Sequence, residues 1–413
     1  MPSTTDQLVM RPITVEELPV LGRLVGSIFL NDHHEDEEAI EAPVYEPERS
    51  LAIFDGGAPV ASAVAFTRTV TVPGGPVPAA CVSWVAVAPT HRRRGLLTRM
   101  MRHQLTELHD QQREPIALLW ASEASIYGRF GYGLAGQSCL VTVSTAAARM
   151  PADAGRGGRL RLLTADEAMP PMTAIYDSVR ADRVGLLDRR GAWWQRRLFD
   201  PERWREGASS LRFAVHHDDD GSPDAYAIFN TKPSWGATGP NGEVGVREVQ
   251  ATTPAGYAAI WRFLLEIDLV RTVTWHLAAA DEPLPYLLDN PDAVQQALRG
   301  ALWVRIVDVD RALSARRYST RIDTVLELSD KLCPWNSGRY RLTADAAAAT
   351  CSRTGDPADL SLSVTTLGAA YLGGTTLGRL AGAGLVTEHR TGAVAAASTA
   401  FQAVRPPYSP EIF

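Results

Sequence analysis

The 413-residue chain contains no apolar run long enough to cross a bilayer, and residues 1–8 lack the apolar stretch of a secretory signal. The expectation is a cytoplasmic protein with no membrane contact. Cysteine is scarce: Cys81, Cys139, Cys333 and Cys351 are scattered, with neither metal-ligand nor redox spacing. Reduced, buried thiols are expected from such a pattern. An excess of basic charge is also absent. The net charge of −6 excludes general nucleic-acid binding. The mixed run Asn31-Asp32-His33-His34-Glu35-Asp36-Glu37-Glu38 lacks histidines at i, i+4. It reads as a solvated helix start, and no metal is expected. With 45% hydrophobic and 21% charged residues, the chain falls in the globular class, and its length calls for two or three domains.

The segment Val85-Ala86-Val87-Ala88-Pro89-Thr90-His91-Arg92-Arg93-Arg94-Gly95-Leu96-Leu97 is the most informative one present. Val82, Val85 and Val87 suit a buried strand, and Pro89 ends it by removing a ladder donor. Gly95, with no Cβ, lets a ligand come close to the backbone. Leu96, Leu97, Met100, Met101, Leu105 and Leu108 then recur at helical spacing. A helix N-terminus behind three arginines favours an anion such as pyrophosphate. A solvated basic turn is the bland alternative. The exposed backbone at Val85 and Val87 suits pairing with an extended ligand arm.

The surrounding pattern is α/β. Strands are expected at Ala52–Phe54, Val60–Thr71, Val82–Ala88, Pro115–Ala121 and Leu140–Thr145, the last closing the first unit. A helix is expected over Leu96–Gln111, and a loop with a short helix over Ser122–Gly133. Turns fall at Asp55–Pro59 and Pro73–Pro76, and a Gly-rich linker at Pro151–Gly158. The order strand, loop, helix, strand recurs at Val244–Thr252, Tyr257–Leu269 and Val273–Ala278. Its loop, Thr252-Thr253-Pro254-Ala255-Gly256, holds no arginine. A degenerate repeat without the anion site is expected there. A third unit starts near Ala301, with strands at Trp303–Val307 and Asp323–Leu328 and helices over Ala344–Ala349 and 367–385.

The pattern Arg92-x-x-Gly95-x-Leu97 resembles the acyl-CoA signature of the Gcn5-related N-acetyltransferases, with Leu97 where that family usually has Gly or Ala. Together with Ser122–Gly133, Glu282–Leu288 and Leu302–Ile306, it more closely resembles the Eis (enhanced intracellular survival) subfamily. The resemblance implies a catalytic acetyl-CoA-binding domain over 1–150, a degenerate acetyltransferase-like domain over 158–300 and a sterol-carrier-like domain over 301–413. It further implies an acetyl-CoA-dependent N-acetyltransferase acting on a polycationic amine such as an aminoglycoside, a polyamine or a protein lysine. Val85, Ala86, Val87, Arg92, Arg93, Arg94, Gly95, Leu96 and Ser122 would hold the cofactor. Tyr127 would return a proton to the departing thiolate, and the α-carboxylate of Phe413 would act as base. Asp32 and Glu411 would meet the acceptor, although the family usually places its acidic residue where this chain has Ile412. A hexameric homo-oligomer is also implied. The alternatives are a packing role for Tyr127, a merely docked tail at Phe413, and a non-enzymatic lipid or small-ligand carrier built on the third domain.

Overall fold

The computed structural model describes residues 8–237 and 239–413. In chain order, the strands are β1 (Val9–Pro12), β2 (Ser50–Asp55), β3 (Ala58–Val72), β4 (Gly75–Val87), β5 (Ile116–Trp120), β6 (Gly133–Leu134) and β7 (Gln137–Ser144). They are joined by α1 (Leu18–Ile28), α2 (Glu35–Glu41), α3 (Leu96–Gln111) and α4 (Ala124–Tyr127). Next come β8 (Arg159–Leu163), α5 (Ala165–Asp182), α6 (Ala192–Leu198), β9 (Arg212–His217), β10 (Pro223–Lys232) and the ribbon β11 (Trp235–Gly236) and β12 (Gly239–Pro240). β13 (Gly242–Ala251), α7 (Pro254–Leu265), β14 (Val270–Ala279), α8 (Leu284–Leu287), β15 (Val294–Gly300) and β16 (Leu302–Ile306) follow. The remainder is α9 (Val309–Ala315), β17 (Ile322–Ser329), β18 (Gly338–Ala344), β19 (Ala349–Arg353), β20 (Leu360–Ser363), α10 (Val364–Tyr371), α11 (Leu377–Gly382), β21 (Val386–Glu388) and α12 (Ala393–Phe401).

The first sheet runs β1-β2-β3-β4-β5-β16-β6, and the second runs β15-β7-β14-β13-β10-β9-β8. Two strands therefore cross over. The segment expected to close the first unit, β7, lies in the second sheet between β14 and β15. β16, expected to open the third unit, pairs with β5 and β6 in the first sheet. The divisions at residues 150 and 300 do not coincide with the sheets. The buried faces go with the exchange: Cys139, Val141 and Val143 enter the second core, whereas Leu302, Val304 and Ile306 enter the first. The third sheet, β19-β18-β17-β20-β21, packs with α9 to α12.

The helix expected at Ala344–Ala349 is a turn between β18 and β19. The Asp345 side chain accepts from the backbone N–H groups of Ala347 and Ala348, at 2.7 and 2.9 Å. That local bond outcompetes the helical preference of the alanines. The expected turn at Pro73–Pro76 is a tighter hairpin: Val72 faces Gly75, and β4 starts there, earlier than the valine run suggested. Gly74, at φ +100°, supplies the left-handed corner. All four cysteines are buried free thiols. Among the described residues, no helix is long and apolar enough to cross a membrane.

Candidate active site

β4 and β5 are parallel neighbours only from Ala79 to Cys81, opposite Ile116 to Leu118. Beyond Cys81 they part, leaving the β5-facing side of Val82–Val87 without a strand partner among the described residues. On its other side β4 bulges. Ser62 faces Ala86 and Val64 faces Ser83, so Trp84 and Val85 together oppose Ala63. Trp84 sits at φ +49°, and its carbonyl accepts from Ser62 Oγ at 2.6 Å. Bulges of this kind re-aim a strand beside a functional site.

α3 begins at Gly95, at φ +76°, with no side-chain cap on its first N–H groups. A Cβ added to Gly95 would meet nothing within 4 Å. Arg92, Arg93 and Arg94 are exposed, and none is ion-paired among the described residues. Leu96, Met100, Met101, Leu105 and Leu108 are buried and hold the helix against the sheet, each contributing roughly 1.5–3 kcal/mol. This arrangement fits the pyrophosphate of acetyl-CoA: open backbone donors, free guanidinium groups and unfilled space.

The matching helix of the second unit, α7, is closed. Thr253 caps it, accepting from Gly256 N–H at 3.0 Å. Thr253 in turn donates to Asp224 Oδ2 at 2.5 Å. A Cβ on Gly256 would lie 2.6 Å from that oxygen. A carboxylate thus stands where an anionic ligand would have to sit.

Where β4 parts from β5, a cavity of about 730 Å³ opens between the first and second units. Val85, Ser122, Tyr127, Asp32, Glu411 and Phe413 all line it. The sequence-predicted residues on the motif strand, the β5 loop, the acidic run and the tail therefore converge. Tyr127, carried by α4, is 6% exposed. Among the described residues its hydroxyl has no hydrogen-bond partner, and burial, then Glu123, pushes its pKa up to about 12. Ser122 and Asp32 are exposed on the lining. Tyr132 is fully buried in the first unit, and among the described residues its hydroxyl is unpaired.

The tail is held at every step. Tyr408 N–H donates to the Val184 carbonyl at 2.8 Å, and its ring enters the second core. Arg196 Nη1 donates to the Ile412 carbonyl at 3.1 Å, and Ser83 Oγ donates to a main-chain oxygen of Phe413 at 2.6 Å. Glu411 is buried, and its oxygens accept from Arg68 Nη2 at 3.1 Å and Arg189 Nε at 3.0 Å. Burial would raise its pKa, but Arg189 and Arg68 outweigh that and hold it below the ordinary carboxylate value. Its carboxylate is ion-paired to Arg68 and Arg189 while Glu411 lines the cavity.

Sequence reasoning missed this clamp. Arg189 and Arg197 converge on the buried Glu248, which also accepts from Tyr226. Arg68 gave a usable signal, because it is the one charged residue of β3. Ser83 and the bulge at Trp84 gave none, since both arise from pairing with β3.

The acetyltransferase (GNAT) domain family matches residues 9–135 and, in a second form, residues 185–306. The sterol carrier protein domain family matches residues 309–410. An uncharacterized N-acetyltransferase of Streptomyces avermitilis is 43% identical, over 92% of both chains. The N-acetyltransferase Eis of Mycobacterium tuberculosis is 34% identical, over 81% of this chain and 82% of that one. Eis1 from Mycobacterium abscessus superposes with a TM-score of 0.83 and 30% identity, covering 98% of this chain and 100% of the other. A GCN5-related N-acetyltransferase from Anabaena variabilis shares the fold, with a TM-score of 0.84 at 22% identity. The chain belongs to the Eis family of Gcn5-related N-acetyltransferases: two acetyltransferase units followed by a sterol-carrier unit, in an enzyme for which the fold implies acetyl-CoA as co-substrate.

Proposed function

We propose that the first unit alone binds acetyl-CoA and that the acetyl group passes to an amine in the cavity. Arg92, Arg93, Arg94, Gly95 and Leu96 hold the pyrophosphate. Val85, Ala86 and Val87 pair with the pantetheine arm along the unpartnered edge of β4, and Ser122 lies beside it. The neutral amine nitrogen attacks the thioester carbonyl carbon, and the C–S bond breaks. The amine proton goes to the α-carboxylate of Phe413, and the thiolate takes the Tyr127 hydroxyl proton. Burial raises the Tyr127 pKa to about 12, which keeps the phenol protonated but makes it a weaker acid, so its support as donor is its place on the cavity lining. The products are an amide and free CoA.

The observation that carries this reading is the shared cavity of Tyr127 and Phe413 at the point where β4 leaves β5. Of the third unit, the tail residues Glu411, Ile412 and Phe413 line that cavity. A polycationic acceptor such as an aminoglycoside would find Asp32 as the lining carboxylate free of a cationic partner among the described residues. The test is Tyr127→Phe, which deletes a hydroxyl without a partner and almost no volume. We expect kcat to fall by ~10²–10⁴ with acetyl-CoA affinity retained. Extending the chain beyond Phe413 should likewise abolish transfer. Full turnover in both variants would leave the two residues as packing.

A further inference from the structure

The fold treats the two acidic groups of the tail oppositely. The Glu411 side chain is buried and ion-paired to Arg68 at 3.1 Å and to Arg189 at 3.0 Å. Arg189 and Arg68 hold its pKa below the ordinary value against the cost of burial. A carboxylate held by two cations is a weak base and a firm anchor. Phe413 lies two residues further on, also on the cavity lining. The donor that reaches its main-chain oxygen, among the described residues, is a neutral hydroxyl: Ser83 Oγ, at 2.6 Å.

Both partners of that bond are fixed by their surroundings. Ser83 stands opposite Val64, at the edge of the β4 bulge. Ser62 pins the bulge by donating to the Trp84 carbonyl at 2.6 Å. Val82, Ser83, Trp84 and Val85 all line the cavity, so the strand proposed to hold the pantetheine arm also carries the donor. On the tail, Arg196 donates to the Ile412 carbonyl at 3.1 Å and pairs with Glu41 at 2.8 Å. The freedom left to a terminal carboxylate is rotation about its own Cα–C bond. The arginines on the lining are engaged elsewhere: Arg196 with Glu41, Arg197 with Glu248, and Arg247 with the Phe199 carbonyl. A hydroxyl occupies one lone pair of a carboxylate and leaves its charge in place. A guanidinium there would lower its basicity and compete with the amine for it.

We propose that Ser83 is a positioning residue: its hydroxyl fixes the plane of the Phe413 α-carboxylate, so that the oxygen lone pairs it leaves free face the attacking amine. This rests on the reading of Phe413 as base given above and adds the group that orients it. The proton still passes from the amine nitrogen to a carboxylate oxygen, and Ser83 keeps its own proton throughout. Its contribution is orientation, which matters because a reacting group misplaced by about 1 Å costs on the order of a hundredfold in rate.

The test measures CoA release with kanamycin and with spermidine as acceptors. It compares the wild type, Ser83→Ala, Ser83→Thr and a chain extended by one glycine after Phe413. We expect Ser83→Ala to lower kcat by about ten- to a hundredfold. The acceptor KM, the calorimetric Kd of acetyl-CoA and the Tm should stay close to wild type. Ser83→Thr returns a hydroxyl to the same place and should recover most of the rate. Wild-type kcat in Ser83→Ala overturns the inference. So does a loss carried by KM or by acetyl-CoA affinity, a loss that comes with a lower Tm, or an equal loss in Ser83→Thr. The extended chain separates Ser83 from the reading beneath it. If the added glycine abolishes transfer while Ser83→Ala keeps its full kcat, Phe413 remains the base and Ser83 alone loses its part. Unchanged turnover in the extended chain removes both, as does the absence of CoA release with either amine.

Discussion

Among single residues, Glu282 is a buried carboxylate outside the reacting cavity, and it lies in the Glu282–Leu288 string that carried part of the family resemblance. It is 6% exposed and accepts a hydrogen bond from the Tyr257 hydroxyl. Burial is the main cause that pushes its pKa up to about 7; the Tyr257 bond lowers it and Asp281 raises it. A carboxyl raised in the fold disfavours the charged form. Its contribution is therefore fully present below the unfolded pKa near 4.5 and is lost as pH rises through about 7. Glu282→Gln keeps an acceptor for Tyr257 and removes the ionisation. Thermal unfolding should show the variant more stable than wild type at pH 8, on the order of 1–3 kcal/mol, with the gap closing at pH 5. A gap independent of pH would mean that Glu282 is already ionised in the fold. The sequence displayed this residue but not its state, because burial here comes from groups distant in the chain. Tyr127 was more legible in part: the pattern put it just after the β5 strand, while its catalytic part came from the family resemblance and not from spacing.

At the scale of elements, legibility followed the range of the forces involved. α3 spans Leu96–Gln111 as its apolar spacing predicted, because helix pattern and the Gly95 start are local. The exchange of β7 and β16 was not legible: their alternation shows that one face is buried, not which sheet buries it. The same contrast separates α3 from α7. The missing arginines at 252–256 were readable. The carboxylate of Asp224 beneath Gly256 was not, because it arrives from β10. Calorimetry with acetyl-CoA should therefore give one site per chain. In the double variant Arg92→Ala, Arg93→Ala, binding should weaken by about 1–3 kcal/mol for each guanidinium–phosphate hydrogen bond removed. Two equal sites in the wild type would assign α7 a role that its cap and Asp224 argue against.

At the scale of the whole molecule, one buried ionic network ties the sheets to the tail. Arg68 belongs to the first sheet, Glu248 to the second, and Glu411 to the tail, with Arg189 bonded to both carboxylates. Burial alone would raise the pKa of Glu248, but Arg189 and Arg197 bring it down to about 2, and Glu411 is lowered as well. Depressed carboxylates stabilise the fold above their unfolded pKa, and that stability is lost as pH falls through the folded values. Arg189→Met removes the shared cation and leaves two buried carboxylates under-compensated. Breaking a buried pair from one side costs about 3–5 kcal/mol. The loss should be largest at neutral pH and should shrink towards pH 4, where the variant's carboxylates can take up protons at little expense. Adding Glu411→Gln to Arg189→Met should recover part of the loss at pH 7, since one of the stranded charges is gone. Because Glu411 lies two residues before Phe413, the single variant should also lose acetyl transfer beyond its loss of stability when assayed well below its Tm. Calorimetric unfolding at pH 7 and pH 4, with CoA release measured at about 20 °C below each Tm, separates the two effects. An unchanged Tm at pH 7 would show that Arg68 alone suffices to hold the tail.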